Sequence, residues 1–303
     1  MGINIQKLKK WTNMIMGNSS YHVNQDEGKV YSKTEIRGYY NNLTEKVSRF
    51  GLQGDTIPTT VVDSGEIIYF PIAIFQYGLA AYDLLLLNQG SVSDLSSKVI
   101  ACANWAVKNQ QFDGSWITFA YENPKYPYSS MAQGEAISLL LRAYQLKKND
   151  VYLKAAIKAY RFMIIPIENG GTAKYEGERL FFYECPADPL ILNGWIFSIW
   201  GIMDYCKFFK DEDAIKILGK TLKTLEETLP KFDVGYWSMY EDGMRISSPF
   251  YHSLHIAQLN VMFDLTGNKI YKFYADEFAA YQNKWVNRKK AFVKKAFQKL
   301  FRE

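Results

Sequence analysis

The sequence predicts an all-α dominated fold, an α/α barrel or toroid of about four helical hairpins, with short β-hairpins between them and a small N-terminal β or loop segment. Three observations predict it. A long apolar segment recurs four times, opening at Phe70, Met131, Pro189 and Tyr251. Each is followed by a more polar segment of helical spacing, about Val92 to Asn109, Val151 to Met163, Glu212 to Thr228 and Lys269 to Asn283. Glycine and aromatic punctuations separate the pairs: QFDGSW around Gly114, ENGGTAKY around Gly170 and FDVGYW around Gly235. These are turn or short hairpin signals, so helix, turn, helix is the repeating unit.

Taken in chain order, residues 1–28 show no regular pattern. The stretch from Ile57 to Phe70 alternates and carries β-branched residues, which predicts a strand or hairpin. Pro71 then suits the first turn of a helix, where its missing N–H costs nothing. In each pair the first helix is apolar on most of its circumference and needs cover on both sides. The second has one apolar stripe and can face water. Placing the first set inside and the second outside gives the toroid, with Gly78, Gly134 and Gly194 at corresponding places, 56 and 60 residues apart. Parallel inner helices would bring their N-terminal ends to one mouth. The loops Lys125 to Ser130, Phe181 to Asp188 and Met239 to Phe250 would then line one cleft, under the positive ends of several helix dipoles. The expected division is an N-terminal segment 1–68, a barrel 69–283 and a C-terminal helix 284–303.

Composition narrows the class of ligand. The 22 Tyr, 19 Phe and 7 Trp exceed what packing requires; rings with a polar tip suit a cleft that stacks on sugar faces, or a Tyr-rich interface. Cys102, Cys185 and Cys206 show no pairing or metal spacing, which fits a reducing compartment. The first twenty residues lack a signal-peptide apolar run, and no eighteen-residue apolar run occurs, so a cytoplasmic protein is expected. No nucleotide fingerprint, phosphate loop or metal cluster appears, so neither a cofactor nor a nucleic acid partner is expected. Residues 281–303 carry a net +7 of a total of +5, leaving the rest at −2. Their Trp285, Phe292, Ala296 and Leu300 recur at helical spacing, with Val293, Phe297 and Phe301 close by and Lys and Arg on the opposite face. That pattern resembles an interfacial amphipathic helix, pointing to peripheral contact with the inner face of a membrane. A polyanion, a partner protein or simple packing on the barrel fits the same residues, and a homodimer is compatible with them.

Four segments, FPIAIFQYGLAAY, YSSMAQGEAISLLLRAYQL, LILNGWIFSIWGIMD and YHSLHIAQL, resemble in order and spacing those of the glucuronyl C5-epimerase family, over Tyr69 to Ala280. That family acts on heparosan-type glycosaminoglycan precursors. The resemblance implies three catalytic tyrosines: Tyr183, ten residues before Asn193 of the LNG motif; Tyr240 in the aromatic hairpin; and Tyr251, followed by His252 and His255. Two departures stand out. The family's Glu before the first tyrosine is replaced by Phe182, with Glu184 following instead, and only eleven residues separate Tyr240 from Tyr251.

Inverting C5 of a uronic acid needs an acid/base group on each face and donors or cations to hold the carboxylate. Tyrosine, with a reference pKa of about 10, suits the return of a proton and needs a cationic or hydrogen-bonding environment to act as base. Tyr183 and Tyr251 are therefore assigned as the pair, with Tyr240 assisting at the ring or the glycosidic oxygen. Arg245, His252 and Asn193 are candidates for holding the carboxylate, in that order. Glu184, His255, Tyr128, Gln133 and Gln76 complete the candidate substrate-binding set. The same residues also suit structural roles: His252 and His255 as caps, Asn193 as a backbone partner, Gln76 and Gln133 as structural contacts, and a site loop in which nothing activates Cys185. The HxxH spacing has no third ligand nearby, so no metal is expected. A uronan lyase and a non-catalytic carbohydrate-binding relative are the competing functions.

Overall fold

The computed structural model describes residues 23–50, 52, 56–62, 64–243 and 245–300. Most of the pattern 1–28 therefore lies outside the described residues, as do Phe301 and the side chain of Leu300. The described residues form ten α-helices and two short antiparallel hairpins, the expected class. In order they are α1 (Glu45–Phe50), β1 (Thr60–Val61), β2 (Ile67–Ile68), α2 (Pro71–Leu86), α3 (Val92–Asn109), α4 (Ser130–Leu146), α5 (Asp150–Met163), β3 (Ala173–Glu176), β4 (Arg179–Phe182), α6 (Leu192–Phe209), α7 (Glu212–Thr228), α8 (Pro249–Thr266), α9 (Lys269–Asn283) and α10 (Trp285–Leu300). Pro71 does stand at the start of α2. The third apolar segment turns helical at Leu192 rather than Pro189, because Ile191 is still extended, at φ −98° and ψ 123°.

The chain divides into two compact units, one of residues 28–227 and one of the described residues in 23–27 and 228–300. In the first, α2, α4 and α6 pack side by side with α4 in the middle. Every residue of α4 from Ser130 to Ala143, and of α6 from Leu192 to Cys206, is buried. By contrast α5 buries only a stripe that includes Tyr152, Ala156 and Tyr160. Sequence hydrophobicity around the whole circumference thus becomes burial around the whole circumference. Gly134 and Gly201 let α4 and α6 touch backbone to backbone, since a Cβ on either would strike the other helix. Gly78 similarly makes room for Leu139 of α4 and Cys102 of α3.

Residues 36–43, which form no helix or strand, pack against these helices. Arg142 of α4 pairs with Asp204 of α6 at 2.5 Å and also donates to the carbonyls of Arg37 and Gly38. The Tyr40 hydroxyl donates to Asp204 at 2.6 Å, and the Tyr39 N–H to Asp83 of α2 at 2.8 Å. Tyr39 also stacks on Phe197 and meets Trp200 edge-on. A buried ion pair costs desolvation that its attraction and hydrogen bonds must offset, and here both partners also hydrogen-bond the irregular segment.

In the second unit α8 and α9 form a hairpin of helices, and Asn260 of α8 donates to Glu27 at 2.8 Å. Residues 233–246 precede them as a loop closed by two antiparallel bridges, Asp233 with Ser238 and Met239 with Ile246. Gly235 turns its tip at φ +73°, a conformation that favours glycine. Among the described residues no helix is long and apolar enough to cross a membrane.

Candidate active site

In the unit of residues 28–227, strands β3 and β4 pair with Ala173 opposite Phe182 and Lys174 opposite Phe181. Tyr183, one residue past β4, donates its N–H to the Thr172 carbonyl at 2.9 Å and accepts from the N–H of Ser130, the first residue of α4, at 3.1 Å. The tyrosine is therefore held by the sheet on one side and by a helix N-terminus on the other. Strand alternation puts Thr172, Lys174, Phe181 and Tyr183 on one face. On that face the Lys174 ammonium is held by Glu176 at 2.7 Å and by the Tyr183 phenol, and these push its pKa up. The sheet is tied to α7 through the Leu180 N–H, which donates to the Thr224 hydroxyl at 2.9 Å.

Glu184 folds its carboxyl group over Gly194, in the first turn of α6, where a Cβ would collide with it. Its Oε2 is shielded from water and has no hydrogen-bond partner. Burial, aided by Asp188, pushes this carboxyl up to about 7. Glu135 of α4 is fully buried; its Oε1 accepts from the Gln76 amide at 2.7 Å, while its Oε2 has no partner. Burial drives the Glu135 pKa well up, opposed by the Gln76 bond and Lys46 and reinforced by Glu184. Lys46 of α1 is itself lowered to about 8 by burial, against the pull of Glu135. Lys46, Gln76, Glu135 and Glu184 thus influence one another, and burial raises the proton affinity of both carboxyls.

The other candidates of this unit take separate places. Asn193 is buried in the first turn of α6, and Tyr128 is half-buried with its ring edge-on to Phe162. Gln133 is fully buried and donates to the carbonyls of Gly114 and Ala159, fastening the turn around Gly114. Gln76 and Gln133 therefore do different things. Cys185 is buried, pushed up to about 11 by desolvation, and accepts from the Asn123 amide.

In the unit of residues 228–300, the loop and the start of α8 bring Tyr240 and Tyr251 together, ring centroids 4.7 Å apart at 57°. Tyr240 is set by its N–H, which donates to the Arg245 carbonyl at 2.7 Å. Tyr251 lies in the first turn of α8, where its N–H is capped by the Ser248 hydroxyl. The Arg245 guanidinium sits 5.5 Å from the Tyr240 ring centre and pairs with the fully buried carboxylate of Glu241. Lys295 of α10 lies 5.7 Å from the same ring.

His252 and His255 point into the interior. Both are fully buried, and His252 stacks on Trp237 with centroids 3.7 Å apart. The Nδ1 of His252 accepts from the Ser238 N–H at 3.1 Å, so its proton is on Nε2, which donates to the Phe278 carbonyl at 2.9 Å. His255 Nδ1 meets the Ser238 hydroxyl at 3.0 Å. Desolvation lowers His252 to about 4 and His255 to about 3, so both are neutral. With both its ring nitrogens engaged within the fold, His252 locks the loop to α8 and α9.

Lys174, Glu135, Lys46 and Glu241 were missed in the sequence. Glu135 had a signal, a carboxylate inside the otherwise uncharged stretch MAQGEAISLLL. Lys174 had none, because its place opposite the β4 strand depends on register.

Paired helices with an aromatic hairpin after the second pair define an all-α class of protein. The chain belongs to the D-glucuronyl C5-epimerase C-terminus family, whose model matches residues 110–280. It is 25% identical to the D-glucuronyl C5-epimerase of Caenorhabditis elegans over 210 residues, covering 60% of this chain and 34% of that protein. It is 28% identical to an uncharacterized protein of Methanocaldococcus jannaschii over 168 residues, covering 52% of this chain and 54% of that protein. The chain thus spans about a third and about half of the curated relatives it matches.

Proposed function

We propose that the chain is a uronate C5-epimerase, inverting C5 of D-glucuronyl residues in a polysaccharide or oligosaccharide. One proton leaves C5 from one face of the ring and another is delivered to the opposite face, so no bond to oxygen breaks. Tyr183 and Tyr251 are assigned as the acid/base pair, and Tyr240 assists at the ring or glycosidic oxygen. Arg245 holds the substrate carboxylate as negative charge moves onto it, its own position set by Glu241. Lys174, held by Glu176 and interacting with the Tyr183 phenol, positions that side chain. Glu184, with its raised pKa, serves as a neutral hydrogen-bond donor near the start of α6.

The observation that carries this is the meeting of Tyr240 and Tyr251 beside Arg245, a cation and two phenols brought together from a loop and a helix. Family membership and the nematode relative support it. A heparosan-type polymer is the first substrate to try. Conversion of glucuronyl to iduronyl residues, read by NMR of the product, tests the activity. A new absorbance from an unsaturated sugar would instead identify a lyase, which begins with the same proton abstraction but expels the O4 substituent.

A further inference from the structure

Helix α10 turns its apolar stripe the wrong way for a packed helix. Ala291 is buried, and on the same side Lys295 donates to the Ile246 carbonyl at 2.5 Å while Gln298 accepts from the Ile246 N–H at 3.2 Å. This side fastens the helix to the 233–246 loop. At 100° per residue, Val286, Val293 and Phe297 fall on the opposite side, with Trp285 and Phe292 on its flank. Their exposures, in that order, are 54%, 50%, 55%, 60% and 44%. Trp285, Val286, Val293 and Phe297, but not Phe292, line an open groove of about 750 Å³ with Tyr236, Gln298, Lys289, Lys290 and Lys294. Two of these lysines lie over aromatic faces, Lys289 on Trp285 at 4.6 Å and Lys290 on Tyr236 at 3.8 Å. The helix carries no acidic residue from Trp285 to Leu300.

We propose that this face of α10 docks the protein on an anionic lipid surface, with Trp285, Val286, Val293 and Phe297 entering the headgroup boundary and the flanking lysines meeting lipid phosphates. The pairing of chemistries selects the occupant. A uronan chain presents carboxylates and hydroxyls, which satisfy the lysines but leave Val286, Val293 and Phe297 in water. A second copy of the chain would set one all-basic helix against another, at a cost in repulsion. A lipid boundary uses both halves, burying apolar side chains and drawing in the cations through the negative surface potential. This surface does not depend on the epimerase reading.

Flotation of the full chain with phosphatidylcholine vesicles, with and without phosphatidylglycerol, tests it. The expected result is flotation with the anionic vesicles only, weakened by salt. The triple variant Val286→Ser, Val293→Ser, Phe297→Ser keeps every charge and should bind at least about tenfold more weakly. These side chains are exposed, so the variant's thermal unfolding should match the parent's. Failure of the parent to float with anionic vesicles overturns the proposal. So does unchanged flotation of the triple variant, or a uronan that binds parent and triple variant equally and displaces the parent from vesicles. A dimer in sedimentation that the triple variant abolishes, without flotation of the parent, assigns the face to a second copy instead.

Discussion

The carboxyl group of Glu184 lies against the Cα of Gly194, in space that any side chain at that position would occupy. The expected consequence of Gly194→Ala is a choice between expelling Glu184 and shifting the first turn of α6. Either should destabilise the protein by about 1–3 kcal/mol, although alanine is the better helix former. Urea unfolding measures this; equal or greater stability in the variant would show that the contact is not constraining.

Glu184 also makes a pH prediction. Its folded pKa of about 7 stands above the ordinary value of 4.5, so its contribution to stability is fully present below about pH 4.5 and is lost as pH rises through 7. Glu184→Gln removes that dependence. Relative to the parent the variant should gain stability between pH 4.5 and 7 and show a constant difference on either side. A difference that does not vary with pH would mean the carboxyl is ionised normally in the fold. Asp83, also pushed up to about 7 by burial, titrates in both proteins and cancels in the comparison.

The pair Lys174 and Tyr183 predicts a kinetic effect. Lys174→Met removes the cation beside the Tyr183 phenol, so C5 proton exchange should slow by about two- to fivefold. The effect is modest because the Lys174 side chain is 40% exposed and water screens it. An unchanged rate would remove Lys174 from any role beside Tyr183.

The ion pair between Arg142 and Asp204 predicts a large stability loss. Arg142→Met leaves a buried carboxylate without its cation and should cost about 3–5 kcal/mol in urea unfolding, with much of that recovered in Arg142→Met combined with Asp204→Leu. A small loss in the single variant would show that residues 36–43 hold their place without the pair.

What could be read from sequence follows from the range of the interactions. The bounds of α3, α7 and α9 agree with the sequence pattern because a helix is written in local periodicity. Gly78 and Gly134 are helix-contact glycines, but Gly194, at the corresponding repeat position, makes room for a carboxyl instead. Spacing could not distinguish them, since the difference comes from a loop side chain. Residues 36–43 escaped notice for a related reason: they have no period, and their partners Asp83, Arg142 and Asp204 lie far along the chain. The two histidines, both weighed as ligands, sit in the interior on Ser238, a burial that only the folded loop creates. The proximity of Tyr240 and Tyr251 follows from a short loop that returns the chain from one to the other.

Deuterium incorporation at C5 of glucuronyl polymers in deuterated water, compared between the parent chain and its Tyr183→Phe and Tyr251→Phe variants, tests the central claim most directly. The expected result is incorporation by the parent and a loss of about 10²–10⁴-fold in each variant, with both still folded. No incorporation by the folded parent on any uronan, or full exchange by either variant, would contradict it.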